Sequence, residues 1–316
     1  MLPKFLKNVV LLSLFTTLVS CGANETTTTI TSTPTPTPAP QSTATGTLVL
    51  ADVNKNAAAK IEQFQPMADY LAARLEKFGI GVGEVKVAPD LDTMASMLKE
   101  GEVDIYVDSP YPAMIVSDKS GATPLLRRWK SGKGEYYGVI FTLAESEIDS
   151  LADLKGKMIA FEEPVSTSGY FLPLNTLLDD DLNMVEKGSK NETVAADEVG
   201  YIYSGDDENT IQWVLSGEVA AGAADYSFLE EIPAESRQAL KILAETQKIA
   251  RHLVIVRPGM DPELVQQIKT VLMEMDQTPE GKEVLTTFEE TAKFDEFPVE
   301  TSLDKMRQLY EQVEKK

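Results

Sequence analysis

From residue 47 onward, short apolar runs alternate with stretches whose apolar residues recur every three or four positions. The runs at 47–51, 85–88 and 103–107 predict buried strands. Phe64, Met67, Ala68, Leu71, Ala72 and Leu75 predict a helix with Pro66 in its first turn; Leu91, Met94, Met97 and Leu98 predict a second. Ser109-Pro110 joins a capping hydroxyl to a proline at the first helical position, so a helix starts there. Strands are expected at 140–143 and 158–161, flanking a polar helix near 150–154. Ser166-Thr167-Ser168-Gly169 opens a helix that runs through Leu172, Leu174, Leu177 and Leu178. Ile211, Val214 and Leu215 mark another. The small residues of 219–224 fit a cramped buried strand, and 240–243 and 253–256 are further strands. Helices close the chain, through Leu264, Ile268, Val271, Leu272 and Met275, then Leu303, Met306 and Leu309. Strands separated by helices imply an α/β fold with mostly parallel sheets covered on both faces. The spacing leaves one barrel and two open-sheet lobes both open.

Before residue 47 the pattern changes. Lys4 and Lys7 precede a mostly apolar run that ends at Leu18-Val19-Ser20-Cys21. The run is about a dozen residues, too short for a bilayer core of ~30 Å, so 1–20 reads as a signal peptide. Cys21 is the only cysteine. The small residue before it makes the site resemble the lipobox of bacterial lipoproteins, which implies lipidation of Cys21 and an anchor in the cell envelope. Thr, Pro and Ser dominate 21–46, where almost no large apolar residue offsets the entropy of ordering; a disordered, polyproline-like tether is expected.

Composition removes several function classes. With 50 acidic and 29 basic residues the net charge is −21, which argues against nucleic acid as a partner. One Cys and one His leave no material for a Cys/His zinc site, a disulfide framework or a histidine-based catalytic engine. No cofactor, no metal and no enzymatic activity are expected. The acid pairs Glu162-Glu163 and Glu289-Glu290 read as surface or helix-end charges.

Six phrases stand in a fixed order. They are Gln65-Pro66-Met67-Ala68-Asp69-Tyr70-Leu71; Asp108-Ser109-Pro110-Tyr111-Pro112-Ala113; Glu135-Tyr136-Tyr137-Gly138-Val139-Ile140; and Leu154-Lys155-Gly156-Lys157. Then come Pro164-Val165-Ser166-Thr167-Ser168-Gly169-Tyr170, and Trp213-Val214-Leu215-Ser216-Gly217-Glu218-Val219 leading to Asp225-Tyr226. With these the chain, over about 48–290, resembles the solute-binding proteins of phosphonate, phosphite and phosphate ABC importers. The Ser-Pro-Tyr and Ser-Thr-Ser-Gly-Tyr phrases are the specific ones.

The resemblance implies a two-lobed type II periplasmic-binding-protein fold with a two-strand hinge. Lobe one would comprise 47–138 plus 250–316, and lobe two 139–249. It implies a monomer that closes its cleft on a small anion and delivers it to an ABC permease. Ser166, Thr167 and Ser168 would bind at a helix N-terminus, where free N–H groups and the dipole favour an anion. Ser109 and Tyr111 would face them, and Tyr136 lies near the first hinge crossing. The family commonly has a histidine just after the glycine matching Gly205; Asp207 falls there. A carboxylate facing a phosphonate dianion is repulsive. Either Arg251 or His252, on the return crossing, supplies the missing charge, or Asp207 and Asp225 meet an amine or hydroxyl on the ligand. A plain macrodipole contact would also suit Asp207. Leu91 stands near the place of a family tyrosine. Arg127-Arg128-Trp129-Lys130 reads as a solvated edge near the cleft. The anion is thus expected to be held by amide dipoles and alcohols rather than by formal positive charge. A receptor subunit serving a membrane sensor is the alternative reading.

Overall fold

The computed structural model describes residues 44–315. The expected signal peptide, Cys21 and nearly all of the tether lie outside the described residues; Gly46, the last residue assigned to the tether, already opens the first strand. The described strands are β1 (Gly46–Val53), β2 (Ile80–Ala88), β3 (Ile105–Asp108), β4 (Thr123–Lys130), β5 (Glu135–Tyr136), β6 (Gly138–Leu143) and β7 (Met158–Phe161). They continue with β8 (Asn183–Glu186), β9 (Glu198–Tyr203), β10 (Ala221–Asp225), β11 (Leu240–Glu245), β12 (Ile249–Ala250), β13 (His252–Val256) and β14 (Thr291–Asp295).

Two six-stranded sheets result, in the orders β14-β4-β13-β3-β1-β2 and β11-β6-β10-β7-β9-β8. Strands joined through helices run parallel, as in β1 with β2 and β3, and β7 with β9 and β10. Strands that enter after the chain crosses between sheets run antiparallel: β13 against β3 and β4, and β6 against β10 and β11. Each sheet is therefore mixed. The crossings are tied together by β5 and β12, which pair Tyr136 with Ile249 and Glu135 with Ala250.

Apolar side chains cover both faces of each sheet. Leu50, Phe64, Leu71, Val254 and Phe288 fill one face of the first sheet, and Met94, Leu98, Tyr106 and Val116 the other. Ile140, Phe161 and Leu177 pack on one face of the second sheet, and Phe141, Ile211 and Val214 on the opposite one.

Three local outcomes position the site. The first helix runs Ala57–Ala72, so Pro66 sits inside it rather than in its first turn. The Asn56 side chain caps its start, accepting from Ala59 N at 3.4 Å. The run of Ala57, Ala58 and Ala59 has the highest intrinsic helix propensity, which carries the helix nine residues ahead of the proline. Lys60 thereby joins an ordered helix. Second, Arg127-Arg128-Trp129-Lys130 is not a solvated edge: it belongs to β4, an inner strand, and Arg128 is fully buried. Third, the small strand β10 lets the helix Asp207–Leu215 approach closely; a side chain at Gly222 would meet Thr210 Cγ2 at 2.7 Å. The expected polar helix near 150–154 is a single 3₁₀ turn, Leu151–Leu154, with a capping box from Ser150 and Asp153.

Candidate ligand cavity between the lobes

The carboxyl ends of the parallel strands meet at a cavity of about 290 Å³. From the first sheet's side it is lined by Asp52, Lys60, Asp108, Ser109, Lys130, His252 and Glu289. From the second come Glu162, Glu163, Ser166, Thr167, Ser168, Asp207 and Asp225, while Tyr136 and Arg251 stand at the crossing. The cavity lies where ligands bind in open α/β sheets, outside the carboxyl ends of the strands.

The 166–169 turn follows β7 and begins its helix with one π-helical turn, in which Phe171 N donates to Ser166 O at 2.9 Å. Ser166 is committed to structure. Its Oγ accepts from Gly169 N at 2.9 Å and donates to Glu162 Oε2 at 2.5 Å. Glycine is required at 169, because a Cβ there would lie 2.6 Å from Glu162 Oε2 and 2.7 Å from its Cβ. Thr167 spans the cleft: its Oγ1 donates to Ser109 Oγ at 2.8 Å and accepts from Tyr111 N at 3.1 Å. Ser109 precedes its helix, yet its side chain makes no capping bond. Its hydroxyl serves the cleft instead.

Tyr111 departs from expectation. Its ring does not line the cavity but stacks on Phe171, with centroids 4.0 Å apart and planes 2° from parallel. Burial of two large apolar rings outweighs exposure of one phenol to a polar cleft.

Gly138 begins β6 beside this turn, where an added Cβ would overlap the Ser168 carbonyl oxygen. Gly138→Ala should therefore displace the Ser166–Ser168 segment, destabilise the fold by ~1–3 kcal/mol as overpacking does, and weaken ligand binding. Urea unfolding and titration calorimetry check both effects; unaltered affinity would show that the turn's position is immaterial.

Arg251 pairs with Asp225, and its guanidinium lies 4.3 Å from the centroid of the Tyr136 ring. The other Asp225 oxygen accepts from Ser227 N at 2.8 Å. Four buried polar atoms on the cavity wall lack a well-aligned partner among the described residues: Tyr136 Oη, beside the Thr167 and Ser109 hydroxyls, Asp207 Oδ1, Arg251 Nε and His252 Nδ1. Buried polar atoms are normally satisfied, so these four leave hydrogen-bonding capacity on residues that line the cavity. Burial pushes Asp207 well above the usual carboxylate range, and the nearby Glu162 and Asp225 charges push it further. Burial, with Glu163 and Asp225 close by, also raises Glu162 despite the Ser166 hydrogen bond. Burial lowers His252 well below its ordinary value, aided by Lys130, Arg128 and Arg251, so the imidazole is neutral.

The first-lobe wall carries charges that sequence reasoning placed elsewhere. Glu289 is not a surface acid. It pairs with Lys60, with Arg128 at 3.0 Å and with Lys130 at 3.3 Å. Burial works against its charge, but Lys130, Arg128 and Lys60 overcome this and hold it well below the usual range. Glu289 and Glu290 both adopt left-handed backbone, φ 49° and 53°, in the turn that aims Glu289 inward; Glu290 stays exposed. Lys60 also reaches Asp52 at 3.2 Å, and burial, with Asp108 and Glu289 nearby, raises Asp52 to about 6. Asp108 accepts from Tyr106 Oη and, at 2.6 Å, from Ser109 N. Glu162 and Glu163 likewise face the cavity rather than bulk water. The wall therefore contains formal positive charge, on Lys60, Lys130 and Arg251, contrary to a site built from dipoles and alcohols alone.

A sequence profile described as "ABC transporter, phosphonate, periplasmic substrate-binding protein" matches residues 53–299. The phosphate-import protein PhnD of Mycolicibacterium smegmatis is 27% identical over 214 residues, 64% of this chain and 64% of that protein; the chain thus spans somewhat less than two thirds of that relative's length. XAC2383 of Xanthomonas citri, solved with chloride ion, superimposes with a TM-score of 0.80 at 28% identity, covering 85% of this chain and 99% of that one. The same protein solved with ATP gives 0.80 and 28%, covering 86% and 99%. PhnD1 of Prochlorococcus marinus, in complex with methylphosphonate, shares the fold with a TM-score of 0.63 at 16% identity, covering 85% and 99%. Fold, cleft and profile agree: the chain belongs to the periplasmic substrate-binding proteins of phosphonate ABC transporters.

Proposed function

We propose that this protein is a lipid-anchored solute-binding protein that captures a phosphonate-, phosphite- or phosphate-type oxyanion between its lobes and delivers it to an ABC permease. The observation that carries this reading is the set of buried polar atoms without a well-aligned partner on cavity-lining residues, Arg251 Nε among them, beside the Tyr136 phenol and the Thr167–Ser109 hydroxyl pair. Tetrahedral oxyanions need several convergent donors, and a guanidinium supplies them in a fixed fork. The lipobox-like Leu18-Val19-Ser20-Cys21 supports lipidation of Cys21, whose role would be to hold a monomeric receptor at the membrane. Its acidity does not oppose anion capture, because short-range donors in a water-excluded site outweigh a screened field.

Thermal unfolding with phosphate, phosphite, methylphosphonate, sulfate, chloride and ATP tests the reading. An oxyanion at 100 times its Kd should add ~2.7 kcal/mol to stability; no response to any of them would sink it. Thr167→Val keeps shape and removes the hydroxyl. It should weaken oxyanion binding about tenfold while stability changes by less than ~1.5 kcal/mol. Ser166→Ala should instead act mainly as the loss of a cap, costing ~1 kcal/mol of stability.

A second reading has its own support: among the described residues, seven carboxyl groups line the cavity against three cationic side chains. An oxyanion bearing an ammonium group would balance that excess, so 2-aminoethylphosphonate should then outcompete methylphosphonate.

A further inference from the structure

Position 207 is where an anion-binding site should least tolerate a carboxylate, and the structure shows why it is tolerated. Asp207 starts the helix Asp207–Leu215, while Asp206, not Asp207, caps it by accepting from Asn209 N at 2.6 Å. Asp207 is therefore not needed as the helix cap. Its side chain lines the cavity, and its Oδ1 is buried with no well-aligned partner among the described residues, the Asp225 N–H being close by. An ionised oxygen in that place would be an acceptor facing the carboxylates of Glu162 and Asp225, with an anion arriving between them. Of the cationic groups on the wall, Arg251 is engaged by Asp225 and Lys130 by Glu289, and His252 stands nearby as a neutral ring. Glu208, next on the same helix, is exposed.

We propose that Asp207 meets the bound oxyanion as a hydrogen-bond donor, presenting the proton of a carboxylic acid to one of its oxygens. This rests on the oxyanion reading above and deepens it. The proton stays on Asp207; no bond to the ligand forms or breaks. Burial and two neighbouring acids favour the neutral form, while Arg251 and the Asp225 N–H oppose it less strongly. A buried carboxylic acid held neutral to donate a hydrogen bond is established chemistry. The consequence is proton-linked capture: affinity falls as the medium turns alkaline and Asp207 ionises.

The test uses the purified protein and its Asp207→Asn and Asp207→Ala variants, titrated with phosphate and methylphosphonate from about pH 5 to about pH 9. Asp207→Asn keeps a neutral donor and should bind within a few-fold of wild type at acid pH. Asp207→Ala should bind about 10- to 100-fold more weakly. Because the ligand's own titration is common to all three proteins, the ratio of wild-type to Asp207→Asn affinity isolates the residue, and this ratio should fall with rising pH. Infrared difference spectra of wild type against Asp207→Asn should show a protonated carboxyl band at neutral pH without any ligand. Oxyanion binding with a pH-independent ratio, with Asp207→Asn no better than Asp207→Ala, or with an ionised band overturns the proposal alone. Absence of binding by wild type overturns the oxyanion reading, and this inference with it.

Discussion

Arg251→Met is expected to weaken ligand capture about a hundredfold and to destabilise the empty protein at once. Arg251 is buried beside Tyr136, and its guanidinium neutralises Asp225. Removing one partner of a buried ion pair strands the other, which costs ~3–5 kcal/mol. The ligand would lose charge-assisted hydrogen bonds of ~1.5–3 kcal/mol each, so affinity should fall by about two orders of magnitude. The two effects separate in the double variant Arg251→Met/Asp225→Asn, which relieves the stranded carboxylate. Urea unfolding should recover most of its stability, while calorimetric binding stays about as weak as in the single variant. Arg251→Lys should restore the charge but not the fork, and bind at an intermediate level. Full affinity in Arg251→Met would remove the residue from the site.

Glu289→Gln is expected to have the second large effect, on stability. Three cations converge on this carboxylate, and Arg128 among them is fully buried; it also donates to Thr291 Oγ1 at 2.8 Å and Phe288 O at 2.9 Å. Neutralising Glu289 leaves Lys60, Arg128 and Lys130 repelling one another at the cavity wall, with Arg128 fully buried, at a cost of ~3–5 kcal/mol near pH 7. The pH dependence carries a sign. Glu289 is depressed in the folded state, so its stabilisation is full above the unfolded value of ~4.3 and is lost as pH falls below it. Asp52 is raised to about 6, so its proton stabilises the fold below about 4, and that contribution disappears as pH rises through 6. From these two carboxyls alone, stability should therefore peak near ~pH 4, between the two transitions. Urea midpoints measured across this range check the peak. In Glu289→Gln the fall below ~pH 4 should be shallower; an unchanged acid limb would show that Glu289 is not the group responsible.

Much of the architecture was legible in local pattern. Alternating strands and helices appear where apolar periodicity placed them, and the 166–169 phrase faces the cleft because a capped helix start follows a buried strand. The first-lobe charges were not legible, and each for a physical reason. Lys60 was hidden because Pro66 read as a helix start, although the alanines ahead of it extend the helix. Arg128 and Lys130 looked solvated because a run of bases rarely enters a sheet, yet their partner Glu289 lies 161 residues beyond Arg128. The Lys60–Glu289 contact spans 229 positions. Burial of charge is decided by such distant partners, which no short window of sequence contains. Tyr111 failed for the opposite reason: its motif looked like a site, but Phe171 offered its ring a better surface.

The stack of Tyr111 on Phe171 joins the helix after β3 to the helix after β7, directly behind the hydroxyls that meet across the cleft. Leu303 and Met306 of the C-terminal helix press on the same cluster from the rear. Two flat faces held together in this way form a bearing: they swivel on one another more readily than they part. Any parting of the two sheets must slide or break this stack, so opening the cleft carries the cost of that aromatic contact, ~0.5–1.5 kcal/mol beyond the buried area.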